Sequence, residues 1–152
     1  MKGQTVDTYQ TLNEVLVNLF RDIMDIEQKA IITDEYKDLT NNDMHVIEAI
    51  GIGDPKNMST IARLLSVTVG TLTIAMNSLV KKGYVTRQRG TADRREVYIS
   101  LSEKGREAYE HHARFHRAMI ESVSDGLNQE ELEMLVRTLT KLNRWFRSWQ
   151  DH

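Results

Sequence analysis

NMSTIARLLSVTVGTLTIAMNSLVKKGYVTRQRGTADRREVYISLS, running from Asn57 to Ser102, is the stretch on which the fold turns. Ile61, Ala62, Leu64 and Leu65 give a short apolar helix, Ser66-Val67-Thr68 a tight turn, and Val69 to Lys82 a second helix. Gly83 stops it, and Lys81 and Lys82 before that glycine suit both a left-handed cap and the negative end of the helix dipole. Two strands follow, Tyr84–Arg89 and Glu96–Leu101. In the second, Val97, Ile99 and Leu101 alternate with Glu96, Tyr98 and Ser100, and Gly90, Thr91, Ala92 and Asp93 form the connection. Helix, turn, helix and then a two-stranded hairpin make a winged helix-turn-helix, whose second helix enters the major groove of DNA.

Working outward, Leu12, Val15, Leu16, Leu19, Phe20, Ile23 and Ile26 recur at three- and four-residue steps, so a long helix runs from about Val6 to Ile31. A polar break spans Asp34 to Leu39. Thr40 with Asp43 then caps a helix carrying Val46, Ile47 and Ile50, which Gly51, Gly53, Asp54 and Pro55 end. Beyond the hairpin, Ser102 caps a helix to about Asp125. Asn128 with Glu131 opens a last helix on which Leu132, Leu135, Val136, Leu139, Leu142, Phe146 and Trp149 form one seam.

The expected fold is mainly α: a winged helix-turn-helix lobe with a two-stranded β-wing over residues 40–101, flanked by helical segments at 1–39 and 102–152, in one domain of 152 residues. The two terminal helices carry more apolar surface than the lobe can cover. A second copy of the chain would bury the surplus, and a monomeric bundle is the alternative.

Net charge is only −2, but its distribution is uneven: residues 1–55 hold 4 basic against 11 acidic side chains, whereas residues 81–95 hold six basic ones (Lys81, Lys82, Arg87, Arg89, Arg94, Arg95) against Asp93. A polyanion feels such a local field more than the total, since charges beyond about 10 Å are largely screened. The chain has no cysteine, which excludes disulfides, thiolate nucleophiles and cysteine-held zinc. It has no long apolar run, and a charged helix in place of a signal stretch near its start, so a cytoplasmic location without membrane contact is expected. No phosphate loop, cofactor motif or activated nucleophile is present, and no catalytic residue is assigned; a DNA-binding regulator is expected, with a protein-interaction module as the rival.

In order along the chain, Ile61-Ala62, Leu79, Lys81-Lys82-Gly83-Tyr84-Val85, Asp93-Arg94-Arg95 and Leu101-Ser102-Glu103-Lys104-Gly105 resemble the MarR family of regulators over nearly the whole length. Within it, Asn42-Asp43-Met44-His45, Thr68-Val69-Gly70-Thr71-Leu72-Thr73 and Arg114-Phe115-His116-Arg117-Ala118-Met119 are similar to the repressors of fatty-acid synthesis genes. The resemblance implies an intertwined homodimer with a recognition helix in each of two successive major grooves, on an inverted-repeat operator of double-stranded DNA.

On the residues themselves, Thr71, Thr73 and Asn77 offer hydroxyl and amide groups to base edges, and Gly70 permits close backbone approach. No Arg or Lys lies between Val69 and Leu79, so thymine-methyl contacts by Thr68, Val69 and their neighbours, and A·T-rich sites, are expected. Arg94 and Arg95 at the hairpin tip suit the minor groove, with Asp93 orienting one guanidinium through a bidentate salt bridge, as the resemblance also implies. Lys81, Lys82, Arg87 and Arg89 suit phosphates, as do Ser59 and Thr60 at a helix start; a solvated charged surface is the alternative for all of these.

Two effectors fit one region. No cofactor is required by these residues, but the subgroup resemblance implies a long-chain acyl group on acyl carrier protein as corepressor, and Phe20, Ile23, Met24, Met44, Phe115 and Met119 are available as an apolar lining. Arg114 and Arg117 suit the acidic carrier. Glu27, His45, His112 and His116 instead form an N/O ligand set for Zn²⁺, with the two α-helical histidines one turn apart, and zinc-sensing members of the family are similar at the same positions. Ordinary core histidines satisfied by Glu27 are the further alternative.

Overall fold

The computed structural model describes residues 2–31, 33 and 35–150. Six helices and three strands follow in the order α1 (Lys2–Ile31), α2 (Asn41–Ile50), β1 (Lys56–Asn57), α3 (Met58–Leu65), α4 (Val69–Lys81), β2 (Val85–Arg89), β3 (Val97–Leu101), α5 (Glu103–Asp125) and α6 (Gln129–Gln150). The mainly helical winged-helix architecture expected from the sequence is the one observed. Asp34, where the polar break was expected to begin, lies outside the described residues. The chain divides into two compact units, Met1–Ala113 and Arg114–His152, with the boundary inside α5.

The first unit is organised by its caps. Thr40 accepts from the Asp43 backbone N–H at 3.1 Å while the Asp43 carboxylate accepts from Thr40 N–H at 3.0 Å, the reciprocal box expected for α2. Asn57 caps α3 and Thr68 caps α4, each accepting from the backbone N–H three residues on. The helix-turn-helix bend is 106°, within the range of about 90–120° for this motif. Ser66 makes the bend in the left-handed conformation, φ 54°.

At its other end α4 closes on Gly83, φ 86°, with the Tyr84 N–H reaching back to the Leu79 carbonyl at 3.0 Å. Only a residue without Cβ takes that conformation cheaply. Leu72, Met76 and Leu79, on one side of α4, join Met44, Ile47, Ile50, Ile61, Tyr84 and Ile99 in the core; each such side chain contributes about 1.5–3 kcal/mol by leaving water.

The sheet differs from expectation. It has three antiparallel strands in the order β1-β3-β2, because Lys56 and Asn57 pair with Ile99 and Tyr98. Two residues have no alternation to read, which is why the sequence pattern showed only the hairpin. Pro55 before them favours extended backbone, and the Lys56 ammonium donates to the Ile50 carbonyl at 2.5 Å, tying the connection to the end of α2.

Gly105 fixes where α5 leaves the sheet. A Cβ there would stand 2.0 Å from the Tyr84 carbonyl oxygen, and Ser102 bonds both sides of the junction: its hydroxyl donates to the Gly83 carbonyl at 2.6 Å and accepts from Gly105 N–H at 3.1 Å. In the second unit α6 begins on the expected box, Asn128 accepting from Glu131 N–H at 3.0 Å and Glu131 from Asn128 N–H at 2.9 Å. No single helix among the described residues is long and apolar enough to cross a membrane.

Candidate nucleic-acid interface

Helix α4 has a second, outward side. Val69, Gly70, Thr71, Thr73, Ile74, Asn77 and Lys81 are all exposed there, opposite the buried Leu72, Met76 and Leu79. The sequence reasoning named every one of these except Ile74, which at 75 % exposure projects furthest of the apolar residues on this helix. Its signal was available, since it lies four residues after Gly70 and three before Asn77, but an isoleucine followed by Ala75 and Met76 reads by default as core.

Local bonds qualify what each polar group on α4 can offer. The Thr68 hydroxyl donates to Thr71 Oγ1 at 2.9 Å and accepts from Thr71 N–H at 3.1 Å, so Thr68 is first a cap. Thr73 donates back to the Val69 carbonyl at 2.8 Å, leaving its oxygen as an acceptor for a base amino group. Asn77 accepts through Oδ1 from the Arg87 guanidinium. Arg87 therefore links the β2 strand of the wing to the outward side of α4, a role beyond the phosphate contact expected for it.

The cations separate into two kinds. Arg87, Arg89, Arg94, Arg95 and Lys81 are exposed, as phosphate or groove contacts require. Lys82 is not available in that way: its ammonium lies 2.9 Å from Asp43 Oδ2, half-buried, and holds the end of α4 against the cap of α2. Arg63 on α3 is an exposed cation that the sequence reasoning passed over, with Nη2 3.5 Å from Thr60 Oγ1. Ser59 is exposed beside it, whereas the Thr60 N–H is taken by Asn57 Oδ1 at 2.8 Å.

At the wing tip the expected salt bridge does not form. Asp93 Oδ1 accepts from the backbone N–H of Arg95 at 2.9 Å, and among the described residues no ion pair joins Asp93 to either arginine. The carboxylate shapes the turn as an Asx motif. Gly90 closes the same turn, where a Cβ would meet the Asp93 carbonyl at 2.5 Å.

Behind the interface, Tyr84 donates to Asp38 at 2.7 Å, under the Lys104 ammonium at 4.2 Å from its ring centre. Burial, then the Asp38 hydrogen bond, push its phenol well above the ordinary tyrosine range. It is neutral at any working pH and serves as a fixed core post.

The proposed effector residues scatter in character. Met44 is core, 2 % exposed, Met24 is half-buried, and Phe20 and Ile23 are exposed on α1. In the second unit Phe115 and Met119 are half-buried on α5, with Phe115 edge-on to His116 at 5.5 Å.

Of the histidines, His112 is buried, with Nε2 3.4 Å from Glu27 Oε1 and 3.1 Å from Glu48 Oε1. His45 is exposed and meets Glu48 at 3.7 Å. Thus Glu48, not His45, is the α2 side chain that reaches His112. His45 and Glu48 are three residues apart on α2 and meet each other on its surface, so the spacing alone gave the sequence reasoning no means to choose Glu48.

A family model described as "Transcriptional regulator SarA/Rot" matches residues 27–112, from the buried Glu27 through the whole wing to His112. The chain belongs to the SarA/Rot family of transcriptional regulators. Among solved structures, this SarA/Rot chain is similar to Streptococcus pneumoniae FabT in complex with DNA, at 36% identity and TM-score 0.87 over 93% of this chain and 99% of that one. It shares its fold with the MarR family transcription regulator SP03579, at 15% identity and TM-score 0.79 over 100% and 98% of the two chains. It is 28% identical over 102 residues to the HTH-type transcriptional regulator PchR of Bacillus subtilis, 65% of this chain and 60% of PchR, so the match spans about three-fifths of that relative's length. These relatives are regulators and not enzymes.

Proposed function

We propose that the chain is a dimeric repressor that binds an inverted-repeat operator, inserting α4 into the major groove and Arg94 and Arg95 into the flanking minor groove. The observation that carries this is the pairing of an exposed α4 side, uncharged from Val69 to Asn77, with a cationic wing on one lobe, in a chain 36% identical to a protein solved on DNA. The cations supply affinity without sequence, and the α4 side supplies the readout. The apolar stripes of α1 and α6 supply the dimer contact, because a two-fold protein matches a two-fold site. The protein acts in the cytoplasm, where its operator lies.

The genes controlled are those of fatty-acid synthesis, and the corepressor is a long-chain acyl group on acyl carrier protein. Resemblance to that repressor subgroup supports this, together with the likeness to FabT. Footprinting tests the first part: protection should cover two half-sites about one helical turn apart, and a monomer protecting a single half-site defeats the architecture. Titration with long-chain acyl carrier protein tests the second. It should tighten operator binding while a chelator does nothing, and release of the operator by the chelator alone would replace the acyl effector with zinc.

A further inference from the structure

We infer that Ile74 and an Asn77 amide held by Arg87 together read thymine in the operator; the inference rests on the DNA-binding function proposed above. An exposed isoleucine by itself is unremarkable on a protein surface. Ile74 differs in its position. It is 75 % exposed at the middle of the one side of α4 that the core does not claim, with exposed Lys81 further along the same side and exposed Arg87 bonded to Asn77 one turn on. A polyanion is the partner that these cations fit, and on the major-groove edge of DNA the only apolar group is the thymine C5 methyl.

The second observation is the Asn77–Arg87 hydrogen bond. A guanidinium only donates, so the amide must turn its oxygen toward Arg87 and its NH₂ away. That NH₂ has no hydrogen bond among the described residues and can only donate. The bidentate adenine contact needs that same oxygen to accept from the adenine amino group, so Arg87 competes with adenine for it. The outward NH₂ is left to seek an acceptor. Ile74 and Asn77, three residues apart on one helix side, are neighbours at about 5–6 Å between Cβ atoms. Thymine alone presents a methyl and a carbonyl acceptor, C5-methyl and O4, next to one another. Arg87 acts here as a positioning residue, through Asn77.

The test starts from random duplexes selected by the wild-type protein, with each thymine in the enriched site then replaced singly by deoxyuridine, which lacks only the methyl. One thymine in each half-site should lose about fourfold in affinity, the weight of one buried methyl. Ile74→Ala, at an exposed position, should keep the fold by circular dichroism and bind the thymine and deoxyuridine sites equally. Arg87→Met should shift the preferred base at that thymine position toward adenine when selection is repeated, because the freed amide oxygen can then accept from an adenine amino group. A uniform loss of affinity across all sequences would make Arg87 a phosphate contact and overturn its positioning role. If no thymine shows the deoxyuridine penalty, or if Ile74→Ala retains it, the thymine reading is wrong although operator binding stands. If no sequence is enriched at all, the DNA-binding function falls with it.

Discussion

The winged lobe and the terminal helices use the same apolar residue types to opposite ends. In the lobe, Ile47, Ile61, Met76, Leu79 and Ile99 are fully buried within one chain. On α1, Leu12, Val15, Leu19 and Phe20 are exposed, and on α6 Leu139 is 50 % and Trp149 65 % exposed. The lobe closes its own core because short helices and a three-stranded sheet present apolar sides to one another. A lone long helix has nothing of the kind along most of its length. The contrast teaches that the lobe completes its core within one chain, whereas the same chain leaves the terminal stripes exposed.

The largest effect should come from the lobe core. Met76→Ala removes a side chain with no solvent exposure from α4 and should lower unfolding free energy by about 2–5 kcal/mol in a urea titration. Leu139→Asp on α6 should leave the lobe folded but weaken self-association at least about thirtyfold, roughly 2 kcal/mol, in sedimentation velocity. A urea midpoint moved as far by Leu139→Asp as by Met76→Ala, with the dimer intact, would erase the contrast between the regions.

Arg95→Ala should cost about 1–3 kcal/mol of operator affinity and flatten the salt dependence by about one unit of slope, while Arg144→Ala on α6 should do neither. Equal effects in a salt titration would move DNA contact off the wing. The smallest effects should come from the two capping boxes, one in each unit. Thr40→Ala and Asn128→Ala should each cost about 1 kcal/mol in thermal unfolding. Their hydrogen bonds are alike, at 3.0–3.1 Å for the side-chain acceptors, so a large difference between them would expose unequal coupling of the caps to the rest of each unit.

Period, punctuation and capping chemistry made much of this protein legible before any coordinates. The 3.6-residue stripes, the alternation of Val97, Ile99 and Leu101, the Gly83 stop and the Thr40 and Asn128 boxes are all local, set by residues within one or two turns of each other, so the chain by itself determined the winged helix and the cationic hairpin. Contacts between residues distant in sequence were decided by the tertiary structure. Lys82 is withdrawn from the basic patch by Asp43, 39 residues away, and Glu48 rather than His45 meets His112, 64 residues away. Arg87, on the wing, fixes which atoms Asn77 of α4 can show. In each case the residue type was visible but its partner was not, because a side chain's free donors and acceptors are what remains after packing has brought its neighbours into reach.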